Sequence, residues 1–248
     1  MIDIKHYIAK TDLLNDKIIA VTGAGDGIGK VVAKAYAQHG ATVILLGRTV
    51  SKLEQVYDEI EQAGFPQAAI IPIDFETAQE SHYQEIADAI EENFGRLDGL
   101  LHNAAQLGER TSIASTSVNS WEKIMQVNIT APFLLTKKCL PVLQKSEQAS
   151  IVFTGSSVGH KGRAYWGAYA VSKAANENLM QTLADELENT SNIKVNSFNP
   201  GATRTQMRAD AYPAENPEGV KQAEELLPYY LYLMGEDNTD THGASLSY

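Results

Sequence analysis

Residues 17–29 read Lys17-Ile18-Ile19-Ala20-Val21-Thr22-Gly23-Ala24-Gly25-Asp26-Gly27-Ile28-Gly29. A short apolar run passes directly into a turn in which every second residue from 23 to 29 is glycine, and 28–39 carries apolar residues at helical spacing. Strand, glycine turn and helix in immediate succession open a βαβ unit. The rest of the chain repeats the alternation. Apolar runs at 42–46 (TVILL), 69–73 (AIIPI), 99–102 (GLLH), 150–154 (SIVFT) and 194–198 (KVNSF) alternate with helical segments near 28–39, 50–63, 79–94, 118–145 and 168–190. A last short strand is expected near 244–247. Short, nearly all-apolar strands are typical of a parallel sheet with helices on both faces. The expected fold is α/β, a doubly wound parallel sheet of about seven strands.

Working outward, nothing divides the chain. No repeat, low-complexity tract or polar linker interrupts the 248 residues, so 1–248 is read as one domain. The long irregular piece at 201–225, rich in Pro, Gly, Glu and Arg, is expected to be a lid over a site. The 20 Lys and Arg against 31 Asp and Glu leave a net charge of −11. Such a surface repels a nucleic-acid backbone and an anionic leaflet, so neither nucleic acid nor membrane is expected as a partner. Cys139 stands alone, which excludes an intrachain disulfide and reads as a small buried apolar residue. Residues 1–17 lack the continuous apolar core of a signal peptide, and no stretch approaches the roughly 20 apolar residues of a membrane span. The expectation is a cytoplasmic protein with no metal site.

The glycines allow a tight turn, let backbone N–H groups approach a pyrophosphate and bring the following helix close to the strand. The helix N-terminus adds partial positive charge. A purely structural turn would use the same glycines; its place between strand and helix favours a dinucleotide. The second strand ends in Leu45-Leu46-Gly47-Arg48-Thr49. An NAD-selective site places Asp or Glu about 20 residues beyond the glycines, on the ribose 2′-hydroxyl. Here Gly47 and Arg48 stand instead, and a guanidinium can grip a 2′-phosphate with charge-assisted hydrogen bonds. NADP(H) is the preferred cofactor, NAD(H) remaining possible; the competing reading of Arg48 is a solvated surface arginine.

Beyond the fifth strand come Gly155-Ser156-Ser157 and then Tyr169-Ala170-Val171-Ser172-Lys173. Residues four apart share a helical face, so Lys173 is placed one turn from Tyr169. A tyrosine has an ordinary pKa near 10, and an ammonium beside it is expected to pull that value down towards the working pH. Taken alone the pair is common on surface helices. Ser156, Asn128 and the glycine turn set it apart.

With these pieces in order, the chain resembles a single-domain short-chain dehydrogenase/reductase, Rossmann-type in fold, over nearly its whole length. The matching residues are 22–29, Asn103-Ala104-Ala105, Asn128, Ser156, Tyr169 with Lys173, and Asn199-Pro200-Gly201-Ala202-Thr203-Arg204-Thr205. The wording ATVILLGR, LDGLLHNA and WGAYAVSK resembles a bacterial subgroup described only as oxidoreductases. The resemblance implies a hydride transfer between nicotinamide and a carbonyl or secondary alcohol. Tyr169 would exchange the proton, Ser156 would hold the substrate oxygen, and Lys173 would bond the nicotinamide ribose. Asn128 would hold a water linking Lys173 to solvent. Gly23, Asp26, Gly27, Ile28, Gly29, Arg48, Asp74, Asn103 and Ala104 would line the adenosine and phosphate path; Pro200, Gly201, Thr203 and Thr205 would orient the nicotinamide amide and pyrophosphate. Departures are His102 for a common asparagine, Ala105 for a glycine, the absence of a terminal Asp-Gly-Gly, and Asp26 where NADP-dependent members often carry a base.

The substrate side is less legible. Tyr165 and Trp166 read equally as an apolar wall and as packing, and Arg204 with Arg208 reads as an anion grip or as surface charge. The segments 118–145 and 168–190 pair between subunits in this family, which implies a homodimer or homotetramer. Two other functions fit the scaffold: a catalytically silent NADP(H)-binding regulatory protein, and an epimerase or dehydratase.

Overall fold

In the computed structural model, residues 4–248 are described; residues 1–3, the head of the stretch read above for a signal peptide, lie outside the described residues. The chain runs β1 (Ile18–Thr22), α1 (Gly27–Gln38), β2 (Thr42–Gly47), α2 (Val50–Gln62), β3 (Ala69–Pro72), α3 (Glu80–Phe94) and β4 (Gly99–His102). It continues through α4 (Val118–Met125), a π-helical turn (Gln126–Thr130), α5 (Ala131–Leu143), β5 (Ala149–Thr154), α6 (Ser157–His160), α7 (Gly167–Leu187) and β6 (Ile193–Asn199). The last elements are α8 (Gln206–Ala211), α9 (Leu227–Met234) and β7 (Ser245–Ser247). Seven parallel strands stand in the order β3-β2-β1-β4-β5-β6-β7. The order turns back between β1 and β4, and ligands of such sheets bind at that switch point, beyond the carboxyl ends of the strands.

Alternation along each strand divides the core between two faces. Ala20, Ile44, Leu100, Ile151 and Phe153 pack with Leu135, Cys139 and Met180 under α3, α5 and α7. Ile19, Val21, Val43, Leu45, Leu101 and Val152 pack with Tyr36, Val56 and Tyr230 under α1, α2 and α9. Cys139 is a free, buried thiol, as its apolar surroundings suggested.

Three local outcomes differ from the sequence reading. The helix expected over 118–145 is broken into α4, the π-helical turn and α5. Pro132 explains part of this: it has no N–H to give the Asn128 carbonyl four residues back. That carbonyl instead accepts from Asn176 Nδ2 at 2.6 Å, which ties the turn to α7. The second outcome is α9, whose sequence LPYYLYLM has no polar face and so no helical period to detect. It is buried among the residues under α1, and Tyr230 donates or accepts across 3.0 Å to the Thr154 hydroxyl at the end of β5. Third, the 201–225 stretch is partly ordered, with α8 and short 3-10 turns at Pro217–Gly219 and Ala223–Leu226.

Candidate active site

A cleft of about 590 Å³ opens along the strand ends, from the 23–28 turn at one side to Trp166 and Tyr212 at the other. Its glycine end is built from backbone. Gly23 has φ +68°, and a Cβ there would stand 3.0 Å from the Ala104 Cα. A Cβ on Gly29 would lie 2.2 Å from the Gly23 carbonyl oxygen, so only glycine lets α1 start this close to the turn. Thr22 Oγ1 accepts from the Asn103 and Ala104 amides at 2.9 and 3.0 Å, which locks β1 to the segment after β4. Asp26 caps α1 by accepting from the Gly27 amide at 2.7 Å. The first turn of a helix leaves further amides for an anion.

The charge at this end has a component the sequence reading missed. Lys52, in the first turn of α2, lines the cleft and forms an ion pair with Asp26. It neutralises the carboxylate that would otherwise repel phosphate, and it follows Arg48 by four residues in the sequence. That four-residue spacing was the available signal. Arg48 is exposed on the cleft wall and has no hydrogen bond or ion pair among the described residues, although its charge is felt at Glu76. A 2′-phosphorylated dinucleotide fits this cradle: glycines where side chains would collide, and a free guanidinium at the ribose end.

The opposite end is built from buried side chains. Tyr169 and Lys173 lie on one face of α7, 9% and 3% exposed, and both line the cleft with Ser156. Lys173 Nζ donates to the Thr154 carbonyl at 2.7 Å and stands 5.7 Å from the centre of the Tyr169 ring. The expected lowering of the Tyr169 pKa is not present in the free protein. Burial pushes the phenol up to about 12, and the hydrogen bond with Ser156 pulls the other way. Burial instead brings Lys173 down to about 8, opposed by the charge of Glu177. Desolvation outweighs the Lys173–Tyr169 attraction because the ammonium is turned towards Thr154.

His102 is a core residue: its Nε2 meets Thr136 Oγ1 at 2.8 Å, its ring stacks on Phe153 at 4.7 Å, and burial holds its pKa down to about 3. At the far end Arg110 lies between Trp166 and Tyr212, 4.7 Å from each ring centre, and donates to the Ala211 carbonyl. Arg208 stacks on Tyr212 at 3.8 Å and pairs with Glu215. Guanidinium and rings thus join the 206–212 segment to the loop before α4.

The residue pattern of the family described as short chain dehydrogenase matches residues 17–216 of the chain. This protein belongs to the short chain dehydrogenase family. The Escherichia coli K12 protein named Uncharacterized oxidoreductase YciK is 49% identical over 233 residues, 94% of this chain and 92% of its own. A solved short chain dehydrogenase structure from Escherichia coli CFT073, complexed with NADPH, is 48% identical with a TM-score of 0.93, covering 96% of this chain and 99% of that one. Another from Shigella flexneri 2a, complexed with NADP, is 47% identical with a TM-score of 0.93 over the same shares.

In this short chain dehydrogenase the cleft brings together Gly23, Asp26, Gly27, Ile28, Arg48, Asp74, Asn103, Ala104, Ser156, Tyr169, Lys173, Pro200, Gly201, Thr203 and Thr205. Gly29 and Asn128 are not on its wall. Gly29 acts through helix packing. The Asn128 side chain, 1% exposed, accepts from the Gln106 amide at 2.7 Å and donates to the Gln106 carbonyl and Ser172 Oγ at 2.9 and 3.0 Å. Trp166 lines the cleft, whereas Tyr165 points away, 59% exposed at φ +69°. Arg208 lines it and Arg204 does not.

Proposed function

We propose that this oxidoreductase uses NADP(H), with NAD(H) a weaker partner, to interconvert a carbonyl compound and its secondary alcohol. The observation that carries the reading is the placement of Ser156, Tyr169 and Lys173 in the same cleft as the glycine turn and Arg48. The cradle from Gly23 to Gly29 would hold the pyrophosphate, Arg48 and Lys52 the 2′-phosphate, Asp74 the adenine, and Asn103 and Ala104 its ribose. Pro200, Gly201, Thr203 and Thr205 would hold the nicotinamide side. When bound, the nicotinamide supplies or takes up the hydride.

The chain's own residues manage the oxygen and its proton. Ser156 and Tyr169 present two hydroxyls to the substrate oxygen, and a phenol near 12 is fully protonated at neutral pH. Tyr169 therefore rests as a proton donor, the form that carbonyl reduction needs. Lys173, near 8, stays largely an ammonium at neutral pH and returns the proton. Asn128 fixes the Gln106 segment of the cleft wall; a water on its backbone carbonyl would share that atom with Asn176. The 201–225 segment would serve as the lid, with Trp166, Met207 and Tyr212 making an apolar substrate wall. Exposed Val118, Phe133 and Val171 on α4, α5 and α7 support a homodimer or homotetramer, testable by light scattering.

The test is a side-by-side titration with NADPH and NADH, followed by a carbonyl panel read at the nicotinamide absorbance. Tighter NADPH binding and turnover of at least one carbonyl compound are expected. Tight NADPH binding without turnover would favour the regulatory protein, and conversion without net nicotinamide oxidation an epimerase or dehydratase.

A further inference from the structure

The charges on the cleft wall are divided between its two halves. Among the described residues its only carboxylates are Asp26, after β1, and Asp74, after β3, whereas Arg163 and Arg208 follow β5 and β6 on the side of Tyr169. Arg208 is already engaged: its Nε and Nη2 donate to the Glu215 carboxylate at 2.6 and 2.5 Å, within the lid. Asp210, the carboxylate of α8, accepts from Gln206 at 2.8 Å and is not on the wall. Arg163 lies in the loop between α6 and α7, exposed, and its side chain has no hydrogen bond, ion pair or ring contact among the described residues.

The backbone is strained to hold Arg163 in place. The Trp166 amide donates to the Arg163 carbonyl at 3.3 Å, closing a four-residue turn, and Tyr165, third in that turn, stands at φ +69°. Turns with positive φ at the third residue ordinarily carry glycine or asparagine there, and a bulky side chain is strained. Tyr165 gains little from its own packing, being exposed. What the turn produces is its two ends, Arg163 and Trp166, brought together on the cleft wall. From Trp166 the wall continues through aromatic rings, Tyr169 at 5.7 Å and Tyr212 at 6.2 Å. Arg110, packed behind Trp166 and Tyr212, adds a positive charge with no ion-pair partner. A carbonyl group at Ser156 and Tyr169 thus has an aromatic surface beside it and an unpaired guanidinium at the edge of that surface.

We propose that the substrate is an oxo-acid, a carbonyl compound whose carboxylate is gripped by Arg163 while its apolar middle lies on Trp166. This names the substrate class for the reductase reading above and rests on it. A guanidinium fork takes a carboxylate through two charge-assisted hydrogen bonds, and Arg163 breaks no existing pair to do so. On a chain of net charge −11, a carboxylate needs such a local cation to enter the cleft. The grip also orients the substrate, so that its carbonyl and not its acid group meets Tyr169.

The test uses the full chain with NADPH and straight-chain oxo-acids of graded length, each beside its primary amide, which has the same shape without the charge. For at least one length kcat/KM should favour the acid about tenfold, the effect of one charge-assisted pair. Added salt should shrink that ratio, because Arg163 is exposed. Arg163→Ala should equalise acid and amide through the KM of the acid, and Arg163→Glu should favour the amide, with NADPH affinity held within about twofold in both. Three results overturn the substrate class alone: acids reduced no better than amides by a protein that turns over some other carbonyl compound, a preference for the acid that survives either substitution, or NADPH affinity falling in step with it. If the unaltered protein reduces neither the acids nor any neutral carbonyl compound, the reductase reading falls and the substrate class with it.

Discussion

At the glycine end of the cleft the charged groups stand in water: the Lys52 and Asp26 side chains are 51% and 59% exposed. At the opposite end Lys173 is 3% exposed and Tyr169 9%. The first pair acts through fixed charge, which salt screens over about 8–10 Å. The second acts through proton affinity, which desolvation moves far more than a neighbouring charge does. On the proposed function, binding of the cofactor and delivery of the proton would fall to regions with different physics, and each should fail on its own.

The sharpest way to break that separation is Tyr169→Phe. It should reduce kcat by at least about a hundredfold, the loss of a general acid, while NADPH affinity by fluorescence titration stays within about twofold. Loss of both together would join the two ends. Next is pH. Lys173 is brought down to about 8 by burial, so its proton is available below that value and lost above it. Reduction kcat should therefore fall above pH 8, approaching tenfold per unit; a flat profile to pH 10 would remove Lys173 from proton delivery.

The charged end is probed by Arg48→Ala, which should weaken NADPH about tenfold, one charge-assisted contact, and leave NADH unchanged. Added salt should shrink the difference, whereas equal loss for both cofactors would make Arg48 structural. The smallest effect belongs to Glu59 on α2, paired with Lys30 and Lys34 at 2.7 Å each and held down to about 2 by them. Glu59→Gln should cost under about 1 kcal/mol in thermal melts. Because its folded pKa is depressed, its contribution is whole above the ordinary carboxylate value. It fades as pH falls through about 2, so the two melting curves should converge in acid.

Much of the fold was legible because apolar runs and short-range spacing are local. The 99–102 strand matches β4 (Gly99–His102), and the other expected strands lie within a residue of the observed ends. The misses have physical causes. Pro132 was passed over within a periodic stretch, although its missing N–H marks where the π-helical turn ends. The helix α9 escaped because a segment apolar on all sides has no amphipathic signal. Of the site, Tyr169, Lys173, Ser156 and Arg48 were legible from spacing and position. Lys52 could have been found from its spacing to Arg48, but its pairing with Asp26, a helix and a strand earlier in the chain, could not.

The order of strands and helices, the glycines that admit the α1 turn, and the shared face of Tyr169 and Lys173 follow from residues a few positions apart, so the amino-acid string determined them. The proton affinities did not follow. The same four-residue spacing that suggested a lowered phenol holds a phenol pushed up to about 12, because its burial depends on Val158, Trp166 and Met207 and the direction of the lysine on the Thr154 carbonyl of β5. Likewise Glu177, Ser197, Ser245 and His160 meet across two helices and two strands. Tertiary packing alone sets such contacts, since solvent exclusion is a property of the assembled layers.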